Sequence, residues 1–142
     1  SEGHNTMKDH PFAHARYQQA HKNLQKILLA MKENNWKAFG EIVENEAMTL
    51  HSLMMSAKSG FILMDKNTLK IIEEVNSFRE QSQTKICFTL DAGPNVHILF
   101  PASEEYKVRP FIQDKLAKYC ETGFFLEDAI GEGPVPINTE KR

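Results

Sequence analysis

Cysteine is scarce in this chain. Cys87 and Cys120 are the only two among 142 residues, with no Cys-x-x-Cys spacing, which argues against both a disulfide framework and a zinc knuckle and predicts reduced thiols. Basic excess is also missing. Lys plus Arg number 17 against 19 for Asp plus Glu, a formal net charge of -2, so there is no electrostatic footprint for nucleic acid. No apolar run approaches a membrane-spanning length and no charged-then-apolar leader opens the sequence, which predicts a soluble, cytoplasmic chain without a membrane partner. Internal repeats and low-complexity segments are absent. No His-Glu-x-x-His or comparable ligand spacing occurs among the six histidines, so His14 and His21, two helical turns apart, predict no metal site.

What is present is enough for one ordinary domain. A chain of this length, 41% hydrophobic, can bury roughly 68–70% of its unfolded surface. Its organising stretch is residues 86–100, where β-rich runs at 86–90 and 96–100 flank Asp91, Ala92, Gly93, Pro94 and Asn95. Gly and Pro prevent either run from simply continuing, which predicts a hairpin. Folding it back about Gly93 opposes Leu90 with Val96, Phe88 with Ile98 and Ile86 with Phe100, all apolar on one face. The other face receives Cys87 with Leu99, Thr89 with His97 and Asp91 with Asn95. A slip of one residue would mix the two sets.

Four helices are predicted around the hairpin. Pro11 can open the first, capped by Asp9 or His10, and Tyr17, Ala20, Leu24, Ile27, Leu28 and Met31 form its apolar stripe. The Asn34-Asn35 break predicts an antiparallel helical hairpin. In the second helix Trp36, Phe39, Val43, Ala47, Leu50 and Met54 make the stripe, and Gly40 inside it suggests a close neighbour. A turn at 58–60 and a brief extended piece lead to a third helix, capped by Asn67, whose Leu69, Ile72, Val75 and Phe78 face inward. Ser103 and the acids after it mark a fourth start. Pro110 places the regular part from Val108, with Phe111, Ile112, Leu116 and Tyr119 inward and Gly123 as the stop. Residues 124–130 could add a strand, and 131–142 read as a tail. The fold class that follows is α+β: a small antiparallel sheet with helices packed on one face.

Few residues invite chemistry. Met48, Met54, Met55 and Met64 read as core filler, Cys87 as a structural thiol without an adjacent base, and Gly131-Glu132-Gly133-Pro134 lacks the helix and lysine of a phosphate loop. Asp91 is different. It is either a turn aspartate bonding its own backbone two residues on or a catalytic carboxylate at the tip of the hairpin's polar face.

The stretch Phe88-Thr89-Leu90-Asp91-Ala92-Gly93-Pro94-Asn95-Val96 resembles the C-terminal-domain signature of the mevalonate diphosphate decarboxylases, members of the galactokinase, homoserine kinase, mevalonate kinase and phosphomevalonate kinase (GHMP) superfamily. Asn45-Glu46-Ala47-Met48-Thr49-Leu50-His51 is similar to a family helix ending in histidine, and Gly3-His4-Asn5-Thr6-Met7-Lys8 to the segment entering that domain. The resemblance implies that the whole chain is a single domain, the C-terminal half of a two-domain decarboxylase whose N-terminal ATP-binding domain is absent. A chain that begins with Ser1 rather than Met fits a processed product or a fragment. The family's diphosphate-contacting serine would precede Ser1.

By the same resemblance, the intact enzyme uses ATP and Mg2+ to convert mevalonate diphosphate to isopentenyl diphosphate, ADP, phosphate and carbon dioxide. Asp91 maps onto the catalytic aspartate, and Ala92 and Gly93 would let substrate approach the backbone. The missing N-terminal domain completes the substrate site, a homodimer of the full-length enzyme is allowed, and the fragment alone should be inactive. Two rivals stay open: another GHMP small-molecule kinase domain, and a stand-alone α+β ligand-binding or regulatory module.

Overall fold

The computed structural model describes residues 9–58, 60–131 and 133. The first helix, α1 (Ala13–Lys32), is tied at its start by His10, whose ring Nδ1 accepts the Phe12 N–H at 3.1 Å and whose carbonyl accepts the Ala13 N–H at 2.9 Å. Nδ1 is therefore the unprotonated ring nitrogen, and Nε2–H donates to Ser56 Oγ at 3.0 Å, pinning the start of α1 to the end of α2 (Trp36–Ser56). The two helices are joined as expected at Asn34, in the left-handed region at φ 53, and Asn35, whose side chain accepts the Ala38 N–H at 3.1 Å.

The face α1 turns toward α2 is not the apolar stripe. Tyr17, Leu24, Leu28 and Met31 are all more than half exposed, while Ala13 and Ala30 are buried. Small and polar side chains make the contact instead: Arg16 and Asn23 both reach Glu46, and Gln19 donates to Asn45 at 2.8 Å. Of the expected stripe, Ala20 and Ile27 are partly covered, and Tyr17, Leu24, Leu28 and Met31 stay open among the described residues.

A similar shift occurs on α2. Its buried residues are Gly40, Ala47, His51 and Leu53, whereas Trp36, Phe39, Val43, Leu50 and Met54 are only partly covered. Gly40, Glu44, Ala47 and His51 recur at steps of four, three and four, one continuous row, and that row lies against β1 (Cys87–Leu90). A Cβ on Gly40 would sit 3.2 Å from Cys87 Cβ. Because Cys87 Cβ is fixed to the strand backbone it cannot rotate away. Gly40→Ala should therefore forfeit the helix-propensity gain of about 1 kcal/mol and lower the urea midpoint, where an uncrowded site would raise it.

Helix α3 (Lys66–Ser82) is capped by Asp65, not Asn67. The Asp65 carboxylate accepts the Asn67 and Thr68 N–H groups at 2.7 and 2.8 Å, and Thr68 Oγ1 accepts the Asp65 N–H at 3.2 Å, a reciprocal capping box. Asn67 donates instead to the Tyr119 carbonyl at 3.0 Å. With the helix starting earlier, its inward face becomes Thr68, Ile72 and Val75, and Leu69 is left 48% exposed.

The hairpin has the expected register. Leu90 pairs with Val96, Phe88 with Ile98, Thr89 with His97 and Cys87 with Leu99, antiparallel, between β1 and β2 (Val96–Leu99). Ile86, Phe88 and Leu90 are buried in one cluster with Ala47, Ile72, Val75, Val108, Phe111 and Leu116, and Val96, Ile98 and Phe100 pack against it. Phe78 stacks on Phe111 with ring centroids 4.0 Å apart. The outer edge of β1 meets a helix in place of a strand. Glu44 Oε1 accepts the Phe88 N–H at 3.3 Å and Arg79 Nη1–H at 2.5 Å, while Arg79 also donates to the Ile86 carbonyl at 3.2 Å, so side chains replace the missing ladder.

After Pro101 a 3-10 turn (Ala102–Glu104) runs into α4 (Glu105–Phe111). The helix thus begins before Val108, and Pro110 lies inside it. Pro110 has no N–H for the Tyr106 carbonyl, and the ladder widens directly afterwards into a π turn (Ile112–Leu116). Val108, Phe111 and Leu116 are nevertheless buried as predicted, and Gly123 ends the segment at φ 72. Residues 124–130 form no strand, and most of 131–142 lies outside the described residues. Among the described residues no helix is long and apolar enough to cross a membrane.

Candidate functional site

Asp91 leaves the end of β1 where pairing stops. Its carboxylate is about half exposed (49%), and its one side-chain partner among the described residues is His97, across the hairpin, with Nε2 at 3.6 Å from Oδ2. No backbone N–H of the turn bonds to it. The turn-aspartate alternative requires such a bond, so the side chain is free of the role that would have made it purely structural. His97 is similarly open at 55%, and the hairpin register alone brings the two together, since His97 faces Thr89 across the ladder.

Ala92 is exposed and Gly93 half-buried. A Cβ on Gly93 would come within 3.2 Å of Asp91 Oδ1, so the glycine keeps the carboxylate's space clear. The backbone of the turn is held from below. His51, 1% exposed, donates Nε2–H to the Asp91 carbonyl at 2.9 Å, and Thr68, also 1% exposed, donates its hydroxyl to the Pro94 carbonyl at 2.7 Å. Neither was singled out as a site residue by sequence: His51 stood only inside the family-like helix segment, and Thr68 beside the expected cap. The signal that could have found His51 is the row Gly40, Glu44, Ala47, His51, too small and polar for an ordinary core stripe.

The other candidates separate from this place. Burial pushes the Cys87 thiol up to about 12, with the nearby Glu44 carboxylate adding to the effect and Arg79 opposing it; a thiol so hard to ionise is a packing group. Cys120 is shifted the same way, by burial. His14 meets Gln18 and His21 the Tyr17 carbonyl within their own helix. Met48 and Met64 pack on the core, whereas Met55 is 47% exposed. Among the described residues no group of three His, Cys, Asp or Glu side chains could hold a metal ion. Asp91 offers a single carboxylate with an imidazole beside it; magnesium is held by one or two carboxylates together with substrate phosphates, so this residue by itself defines no metal site.

A family model described as the mevalonate 5-diphosphate decarboxylase C-terminal domain matches residues 3–132. The chain belongs to that family. A diphosphomevalonate decarboxylase from Bos taurus is 29% identical over 66 residues, 46% of this chain and 16% of the bovine protein. The solved mevalonate diphosphate decarboxylase from Legionella pneumophila is 30% identical at a TM-score of 0.75, covering 80% of this chain and 36% of that one. The decarboxylase from Enterococcus faecalis, solved in a study of mevalonate diphosphate mediated ATP binding, shares the fold at a TM-score of 0.75 and 24% identity, covering 83% and 37%. The chain thus spans little more than a third of these structures. The α+β architecture of this decarboxylase C-terminal domain is shared with the Legionella structure.

Proposed function

We propose that this domain is the C-terminal half of a two-domain, ATP-dependent decarboxylase acting on mevalonate diphosphate, and that Asp91 is its catalytic aspartate. The observation that carries the proposal is the Asp91 carboxylate, presented at the hairpin tip and bonded to no turn N–H. Placed against the substrate's tertiary hydroxyl, it orients that oxygen for in-line attack on a phosphoryl group and accepts its proton. Fragmentation then follows: the bond to the carboxylate breaks, its electron pair becomes the new double bond, carbon dioxide departs, and phosphate leaves with the carbon–oxygen pair. Ala92 and Gly93 let the substrate reach the turn backbone, and His97 limits where the carboxylate can swing.

ATP and Mg2+ belong, on this proposal, mainly to the remainder of the full-length enzyme, because the sequence here offers no phosphate-cradling loop with its lysine. That a structure of the same fold, MDDEF in complex with MVAPP, AMPPCP and magnesium, carries all three supports the assignment of substrate and cofactor class. A full-length protein carrying this domain, given carboxyl-labelled mevalonate diphosphate, ATP and magnesium, is expected to release labelled carbon dioxide in step with ADP. ADP without carbon dioxide would make it a kinase of the same superfamily, and neither product would overturn the proposal. The 142-residue chain alone is expected to release none.

A further inference from the structure

We infer that His51 and Thr68 are positioning residues for Asp91, a pair of buried clamps that hold the two shoulders of its turn from two different helices. The turn from Asp91 to Asn95 lies outside the ladder, whose last pair is Leu90 with Val96, so the sheet itself fixes neither the Asp91 nor the Pro94 carbonyl. Each of these carbonyls instead accepts from a side chain that is 1% exposed: Asp91 from His51 Nε2–H at 2.9 Å, Pro94 from the Thr68 hydroxyl at 2.7 Å. With Leu90 before it held in the ladder, setting the plane of the peptide that follows Asp91 fixes ψ and so the direction of its Cα–Cβ bond. The carboxylate is thereby aimed outward while Ala92 and Gly93, between the clamps, stay free for a ligand.

Both clamps are costly unless they are made. A buried imidazole or hydroxyl without its hydrogen bond carries an uncompensated desolvation penalty, whereas leucine or valine would fill the same space with none. Their attachment also differs from ordinary core packing. His51 belongs to the α2 row that reads β1 from Gly40 onward, and Thr68 is the N3 residue of the Asp65 capping box, its oxygen accepting the Asp65 N–H at 3.2 Å. Its single proton has two acceptors in reach, the Pro94 carbonyl at 2.7 Å and Asp65 Oδ1 at 3.1 Å, and the shorter bond is the one to Pro94. The start of α3 is therefore wired directly to the far shoulder of the turn, and α2 to the near one.

This inference rests on the proposed role of Asp91 for its catalytic consequence but not for its geometry, and the two can be tested apart. In the 142-residue chain, nitrogen NMR should find His51 protonated at Nε2, and 15N order parameters for Ala92, Gly93 and Asn95 should be near the rigid value of about 0.85. His51→Leu keeps the volume and removes the donor, and Thr68→Val removes only the hydroxyl. Each should drop those order parameters toward about 0.6 or below while the order parameters of Phe88 and Ile98 stay unchanged. His51→Gln, which keeps an amide near the Nε2 position, and Thr68→Ser should restore them. A turn as rigid in Thr68→Val and His51→Leu as in the parent would overturn the clamp; should His51→Leu not fold, Thr68→Val against Thr68→Ser decides. In the full-length enzyme the same two variants should lower kcat about tenfold or more, with KM for mevalonate diphosphate within about twofold, as expected for misaimed rather than absent groups. A loosened turn with unchanged kcat would uphold the clamp and count against the catalytic assignment of Asp91.

Discussion

Asp91→Asn, made in the full-length enzyme, is expected to lower kcat by roughly 10² to 10⁴ with a melting temperature close to that of the parent. The substitution preserves volume and the ability to accept at one oxygen but removes the negative charge and the basic site. Stability should hardly move, because the side chain is half exposed and, among the described residues, bonds no backbone group and meets only His97, at 3.6 Å; an exposed pair of this kind is worth about 0–1 kcal/mol. The two readouts together decide between the roles weighed for this residue. A variant that keeps more than about a tenth of the parent kcat lies outside the range of a lost general base, and would return Asp91 to the turn. A variant that loses both activity and melting temperature would reveal a structural contact that the geometry does not contain.

The largest stability effect is expected at Glu44. Its carboxylate receives two donors from Arg79, at 2.5 and 3.2 Å, and the Phe88 N–H at 3.3 Å, and its side chain is only 16% exposed. Glu44→Ala leaves the Phe88 N–H without its acceptor at the edge of the core and strips Arg79 of its counter-charge, although the guanidinium keeps the Ile86 carbonyl at 3.2 Å and Asn76 Oδ1 at 2.6 Å. Breaking a buried pair from one side costs about 3–5 kcal/mol; since Arg79 is 34% exposed and can recover water, about 3 kcal/mol is expected, a large share of the 5–15 kcal/mol that holds a domain together. Glu44→Gln keeps an acceptor for Phe88 and should lose about 1 kcal/mol. Urea denaturation of the three proteins measures this directly. Equal losses for Ala and Gln would show that charge alone matters and that the strand edge gains nothing from the side chain.

The hairpin was legible because two constraints coincide in it: alternation chooses a face, and the opposed apolar pairs choose a register. Helix α1 had only one. Its stripe of Tyr17, Ala20, Leu24, Ile27, Leu28 and Met31 says which side is apolar and says nothing about how much of that side this chain covers. On α2 the difficulty was opposite, since the row that reaches β1 is made of Gly40, Glu44, Ala47 and His51, chosen for close approach and hydrogen bonding rather than for oiliness. Capping at α3 was ambiguous because Asp65 and Asn67 are both competent, and only the reciprocal bond from Thr68 separates them. Pro110 does not delay the start of α4. A proline inside a short helix is tolerated here because the ladder loosens just beyond it. At the site, Asp91 could be singled out from the tip of a hairpin, but the side chains that hold its turn come from positions 51 and 68, and no local pattern reports a contact across that separation.

The row on α2 makes the distance from Gly40 to His51 a gauge for the strand beside it. About three helical turns return the chain to the same face after roughly 16 Å, and the β-strand from Cys87 to Asp91 advances about 13 Å over the same stretch. Helix and strand therefore run in step, with Cys87 opposite Gly40, Phe88 opposite Glu44 and the Asp91 carbonyl opposite His51. Insertion or deletion of one residue between Gly40 and His51 turns everything beyond it by about 100° and carries the imidazole off the turn. The segment joining α3 to β1 is fixed in another way, by the burial of Thr84 and Ile86. Between Gly40 and His51 the number of residues is itself part of the site.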